Sequence, residues 1–174
     1  MDCPGGIQIQ LSDLDQTKNN RGQSGRKDSK GITKIKNRLN ELEVTYTTEV
    51  RFSHCRDHRE LPFDIMVIVM GRTGVIEYDG QQHFTPTSFG GSTKDVDNKL
   101  ATQKTHDIMK NNFTKKHQIS LLRISYRDDD YIQKYVDEFI VKMKSSSVRV
   151  DMFSNPNDYD KPYGKELDEG CLIQ

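Results

Sequence analysis

The sequence predicts an α/β fold, a mixed central β-sheet with helices on its faces, in the element order αβββαβα. Three observations carry this. Apolar residues recur at helical spacing near both ends of the central stretch, at Ile32, Ile35, Leu39, Leu42 and again at Ile132, Val136, Phe139, Ile140, Met143. The longest uncharged apolar run, I-M-V-I-V-M at Ile65–Met70, is strand-sized and reads as a strand covered on both faces. G-R-T-G at 71–74 separates that run from V-I-E-Y-D-G, which marks a hairpin.

The first helix follows from Ile32, Ile35, Leu39 and Leu42, spaced by Lys, Arg, Asn and Glu, which leaves one buried stripe on a surface helix. V-T-Y-T-T-E-V-R-F (Val44–Phe52) alternates and is β-branched or aromatic, so it predicts the first strand. H-C-R-D-H-R-E (His54–Glu60) reads as a polar connection. The second strand begins at L-P-F-D, with Pro62 near its start, where a missing N–H matters least. Val75–Gly80 is the return strand, and the Thr, Ser and Gly of residues 81–94 predict a loop. A long helix is expected from about Asp95 to Lys116, then a strand at Ile119–Tyr126. D-D-D at 128–130 should cap a last helix over Tyr131–Lys144.

Composition bounds the rest. The chain has 174 residues and 20.1 kDa, enough for one domain and short for two. Lys+Arg 26 against Asp+Glu 26 gives no net charge, which excludes a histone-like basic protein. Apolar residues are 33%, charged residues 30% and mean hydropathy −0.82, so one modest core with polar ends is expected. No run approaches the roughly 20 apolar residues of a membrane span. The start, M-D-C-P-G-G, lacks the basic and apolar regions of a signal peptide, which predicts a cytoplasmic or nuclear rather than secreted protein. Cys3, Cys55 and Cys171 are scattered and odd in number, which predicts reduced thiols.

Charge is unevenly placed. Thr17–Asn40 holds eight basic residues against Asp28 alone, while Asp151 onward holds six acids against Lys161 and Lys165. This fits a polyanion-binding arm and a solubilising tail, or equally two solvated ends. The expected organisation is a flexible basic arm at 1–28, a folded domain at 29–145 and an acidic flexible tail at 146–174.

The chemistry gathers on the hairpin. Asp64 starts one strand, and Glu77 and Asp79, two apart on the next, share a face opposite Tyr78. Three carboxylates on a core hairpin need a counter-charge, either basic side chains or a hard divalent cation. Asp64 can meet Glu77 if a bulge or twist adjusts the register. His83 follows where the chain leaves the sheet, in Q-Q-H-F. On the long helix Gln103, Asp107 and Lys110 fall within about 60° of one another, with Ala101, Ile108, Met109 and Phe113 expected opposite them. His54, Cys55 and His58 lack a partner pair for zinc. The last four residues, C-L-I-Q, have the form of a prenylation box, but acidic flanks argue against one.

L-P-F-D (61–64), I-E-Y-D-G-Q-Q-H-F (76–84), D-I-M-K (107–110) and I-S-L-L-R-I-S-Y (119–126), in this order and spacing, resemble the PD-(D/E)XK nuclease superfamily. The resemblance is nearest to the branch of very-short-patch-repair endonucleases and related phage, intein-associated and large-DNA-virus enzymes, and it covers about Ser29–Tyr126. It implies a restriction-endonuclease-like core and a metal-dependent DNA endonuclease using Mg²⁺ or Mn²⁺. Asp64, Glu77, Asp79 and the Tyr78 carbonyl would hold the ion, and His83 would be general acid or base. Lys110 would face the scissile phosphate. In nucleic-acid binding, Lys27, Lys30 and Lys34 would contact backbone phosphates, Gln103 with Asp107 would steer the scissile phosphate or the water, and Arg123 would touch phosphate or cap the sheet. Two departures stand out. Ile32 occupies the place of a first-helix Glu, for which Glu41 and Glu43 lie too far along, and Asp79 replaces the superfamily lysine.

The expected partner is duplex or branched DNA, with no membrane. A small neutral nuclease without an added DNA-reading module points to a structure-selective, dimeric (homodimer) or weakly specific enzyme. Two other readings remain: an RNA endonuclease of the same fold, and an inactive nuclease-like DNA-binding module, for which Ile32 speaks.

Overall fold

The computed structural model describes residues 28–86 and 93–163. It is an α/β fold: α1 (Lys30–Glu41), β1 (Tyr46–Arg56), β2 (Glu60–Val69), β3 (Arg72–Asp79), α2 (Thr93–Lys116), β4 (Ser120–Ser125), α3 (Ile132–Ser145), β5 (Asp151–Phe153) and α4 (Pro156–Tyr163). The strands form one mixed sheet in the order β1-β2-β3-β4-β5. β1, β2 and β3 are antiparallel neighbours, whereas β3–β4 and β4–β5 are parallel. The long α2 supplies the crossover that a parallel β3–β4 pair requires.

Each face of the sheet has its own core. Ile35 and Leu39 of α1, Ile65, Val67 and Val69 of β2, and Phe139, Ile140 and Met143 of α3 form one. Phe52, Phe63, Val75, Leu121 and Phe113 of α2 form the other. α1 starts at Ser29, whose hydroxyl accepts the Ile32 N–H. Gly31 lets it approach the sheet: a Cβ there would stand 2.3 Å from the Tyr78 ring. Tyr78 therefore packs on the α1–α3 side, and Glu77 and Asp79 face α2, as their period-two spacing predicts.

β2 changes faces midway. Phe63 lies in the α2-side core and Ile65, two residues on, in the opposite one. β1 makes the same change between Tyr46 and Val50. The switch falls between the pairs Thr48↔Ile65 and Val50↔Phe63, where Glu49 adopts φ 53°. The left-handed Glu49 and Asp64 thus both sit where the two strands change faces.

Four expectations need correction. The hairpin turns on Met70–Gly71, with φ 50° and 73°, rather than on 71–74, because a two-residue loop with both φ positive suits the strand twist. β1 runs on to Arg56, so Cys55 is a buried core residue and not part of a polar connection. Asp128–Asp130 lie in a 3₁₀ turn, and Tyr131, without a side-chain hydrogen bond, precedes α3. Their carboxylates have other partners: Ser154 donates to Asp128, and Lys34 and Tyr78 donate to Asp129. Finally, the fold does not stop at 145. Met152 and Phe153 pair with β4, and buried Tyr159 belongs to α4, so folded structure reaches into the expected acidic tail. The expected basic arm up to Lys27 and the end beyond 163 lie outside the described residues.

Candidate functional site

The site lies on the side of the sheet toward α2, with Asp64 midway along β2, where pairing with β3 stops, Glu77 and Asp79 among the last residues of β3, and Arg123 within β4. The β2–β3 ladder closes at Ile65↔Ile76, and the next facing residues, Asp64 and Glu77, continue it through side chains. Asp64 N–H donates to Glu77 Oε1 at 3.2 Å, and Tyr78 N–H donates to Asp64 Oδ2 at 2.8 Å. The second Asp64 oxygen accepts no hydrogen bond among the described residues. Glu77 is buried, and its Oε2 accepts from Lys110 Nζ at 2.6 Å. That ammonium stands 5.2 Å over the Phe63 ring.

Burial governs the acids' titration. It pushes Glu77 up to about 7 against the pull of Lys110, and raises Asp64 against the Tyr78 N–H. Burial works against the Lys110 ammonium too, but Glu77 outweighs it, and the group stays charged.

A second cluster adjoins the first. Asp79 is fully buried: Arg123 donates to Oδ2 from Nε at 2.8 Å and to Oδ1 from Nη2 at 2.5 Å, and Tyr159 Oη donates to Oδ2 at 2.9 Å. The same Nη2 reaches Asp107 Oδ1 at 2.8 Å, while Nη1 donates to Asn111 Oδ1 at 3.0 Å. His83 Nδ1 lies 2.8 Å from Asp107 Oδ2 and 3.3 Å from Asp79 Oδ1. Gln103 Nε2 donates to Asp107 Oδ1 at 3.4 Å. Burial disfavours ionised Asp107, but Arg123 and His83 outweigh it and hold the carboxyl well below the usual range. Burial likewise disfavours the imidazolium, but Asp107 and Asp79 outweigh it, and His83 titrates above its ordinary value.

The sheet brings together Asp64, Glu77, Asp79, His83, Gln103, Asp107, Lys110 and Arg123. Two expected nucleic-acid contacts lie elsewhere. Lys30 and Lys34 belong to α1, on the other face, and Lys34 pairs with Asp129. A third, Arg123, is wholly buried and occupied by acids, so it presents nothing to a ligand surface. Phe113 does not lie opposite Asp107 and Lys110: all three are buried beneath α2, while Ala101 is exposed. The polar side of this helix faces inward because acids and a guanidinium wait there. Glu41 pairs with Arg38 on α1, and Ile32 packs against the α1-side core, so α1 brings no acid to the site.

Sequence reasoning missed Tyr159 and Asn111. An arginine inside L-L-R-I was the available signal: in a covered strand it demands buried acids. Tyr159 had none.

The residues fit a hard divalent cation at Asp64 and Glu77. The donors are carboxylate oxygens, Asp64 keeps one oxygen without a hydrogen bond, and burial raises both acids, a cost that a cation removes. Asp79, His83 and Asp107 also place one ligand atom each within 4.8 Å of one another. No family model matches the chain, and no curated protein or solved structure matches it.

Proposed function

We propose that this chain is a metal-dependent endonuclease that hydrolyses phosphodiester bonds in DNA. One observation carries the reading: Asp64 and Glu77 meet at the open end of the hairpin, with Lys110 on Glu77. The choice of nucleic acid as substrate, and of DNA in particular, draws on the four motifs and their order.

In this reading Asp64, Glu77 and the Tyr78 carbonyl would hold Mg²⁺ or Mn²⁺, which when bound would acidify a water and offset phosphate charge. Lys110 adds a fixed positive charge beside the scissile phosphate. His83, oriented through Nδ1 by Asp107, carries a proton at Nε2 to or from the reacting oxygens. Asp79 serves this histidine and Arg123 rather than the ion, since both its oxygens are engaged.

An inactive DNA-binding module is the second reading, favoured by the absence of an α1 carboxylate. Cleavage assays with Mn²⁺ over duplex, branched and mismatched DNA and single-stranded RNA separate the readings. Cutting of DNA supports the proposal. Cutting of RNA alone replaces the substrate, and cutting of neither favours the inactive module.

A further inference from the structure

Asp79, His83 and Asp107 look like a second cation site: two carboxylates and an imidazole, all buried, with ligand atoms inside 4.8 Å. The centre of that group already contains a cation. Arg123 has no solvent exposure, and its Nη2 bridges the two carboxylates at 2.5 and 2.8 Å. Its Nε takes the remaining oxygen of Asp79, which Tyr159 shares, and His83 takes the remaining oxygen of Asp107. Each of the four oxygens therefore has a hydrogen-bond donor.

Charge points the same way. Two carboxylates and one guanidinium sum to a single negative charge, which a protonated His83 cancels. A dication added beside the guanidinium would leave net positive charge in a buried pocket, a costly arrangement. Asp64 differs, because it is half-buried, has an oxygen without a hydrogen bond and would share its ion with an anionic phosphodiester.

We propose that Arg123 is an internal cation that closes the Asp79–His83–Asp107 cluster to metal. The enzyme then binds one divalent ion, at Asp64 and Glu77. Arg123 is a positioning residue: it holds Asp107, and Asp107 holds the His83 imidazole. This rests on the metal reading of Asp64 and Glu77 given above.

Electron paramagnetic resonance of Mn²⁺ titrated into the full chain counts bound ions without reference to activity. The expected result is one ion in the parent, none in Asp64→Asn and one in His83→Gln. Arg123→Met should bind two ions, and Arg123→Met combined with His83→Gln should return to one. The parent, Asp64→Asn and His83→Gln carry the test if Arg123→Met does not fold. Two ions in the parent, or an ion lost in His83→Gln and kept in Asp64→Asn, would overturn the proposal while leaving a metal enzyme standing. No ion in the parent would remove the metal reading itself, and this inference with it.

Discussion

Asp64 and Glu77 bind each other's strands: the Asp64 N–H donates to the Glu77 carboxylate, and the Asp64 carboxylate accepts the N–H of Tyr78, the residue after Glu77. Side chains here replace a backbone ladder that ends one pair earlier. The consequence is two acids side by side, with only one, Glu77, bonded to a buried lysine.

Stability should depend on pH in an unusual direction. Glu77 titrates near 7 in the fold against an ordinary 4.5, so between those values the folded state holds a proton that the unfolded chain has lost. His83, raised above 6.5, contributes stability that is present below 6.5 and lost as pH rises through its folded value. Glu77 therefore reduces stability as pH rises from about 4.5 through 7, by a few kcal/mol in order of magnitude, and His83 adds to the fall above 6.5. Thermal melts in chelator should show this fall. Mn²⁺ should reverse it, stabilising more at pH 8 than at pH 5. A chelated protein whose melting temperature climbs over that window would contradict a Glu77 carboxyl that burial raises in spite of Lys110.

Asp107→Asn tests the histidine's support. The amide keeps an acceptor for His83 but loses the charge that faces both His83 and Arg123. Cleavage should fall by about 10²-fold or more, with Mn²⁺ affinity unchanged. A parallel loss of Mn²⁺ binding would place the ion at Asp107 instead.

Gly31→Ala should destabilise despite alanine's better helix propensity, because the added Cβ would meet the Tyr78 ring at 2.3 Å. Overpacking of this kind costs about 1–3 kcal/mol, read as a lowered denaturation midpoint. Adding Tyr78→Ser should recover part of the cost of the alanine. No recovery would mean that the ring is not what limits α1.

Much of this arrangement is legible in the sequence because it follows from periodicity. The two-residue spacing of Glu77 and Asp79 fixed their common face, and the helical spacing of Gln103, Asp107 and Lys110 fixed theirs. What escaped depends on single backbone angles or on distant chain. β1 and β2 change faces where Glu49 takes φ 53°, and no residue-type rule marks a glutamate for that conformation. Tyr159 arrives from a segment that composition made look like tail, 80 residues from the acid it bonds. Arg123 reads as a nucleic-acid contact in the sequence, but arginine is wholly buried only when paired, and acids on two other elements make that possible here.

The most direct test compares the parent with Glu77→Ala on DNA in Mn²⁺, with cleavage and DNA retention measured on the same samples. The parent should cut and chelator should stop it, and the variant should lose about 10²-fold or more of the cutting while DNA is still retained. Cutting by Glu77→Ala at the parental rate, or by the parent in chelator, would contradict it.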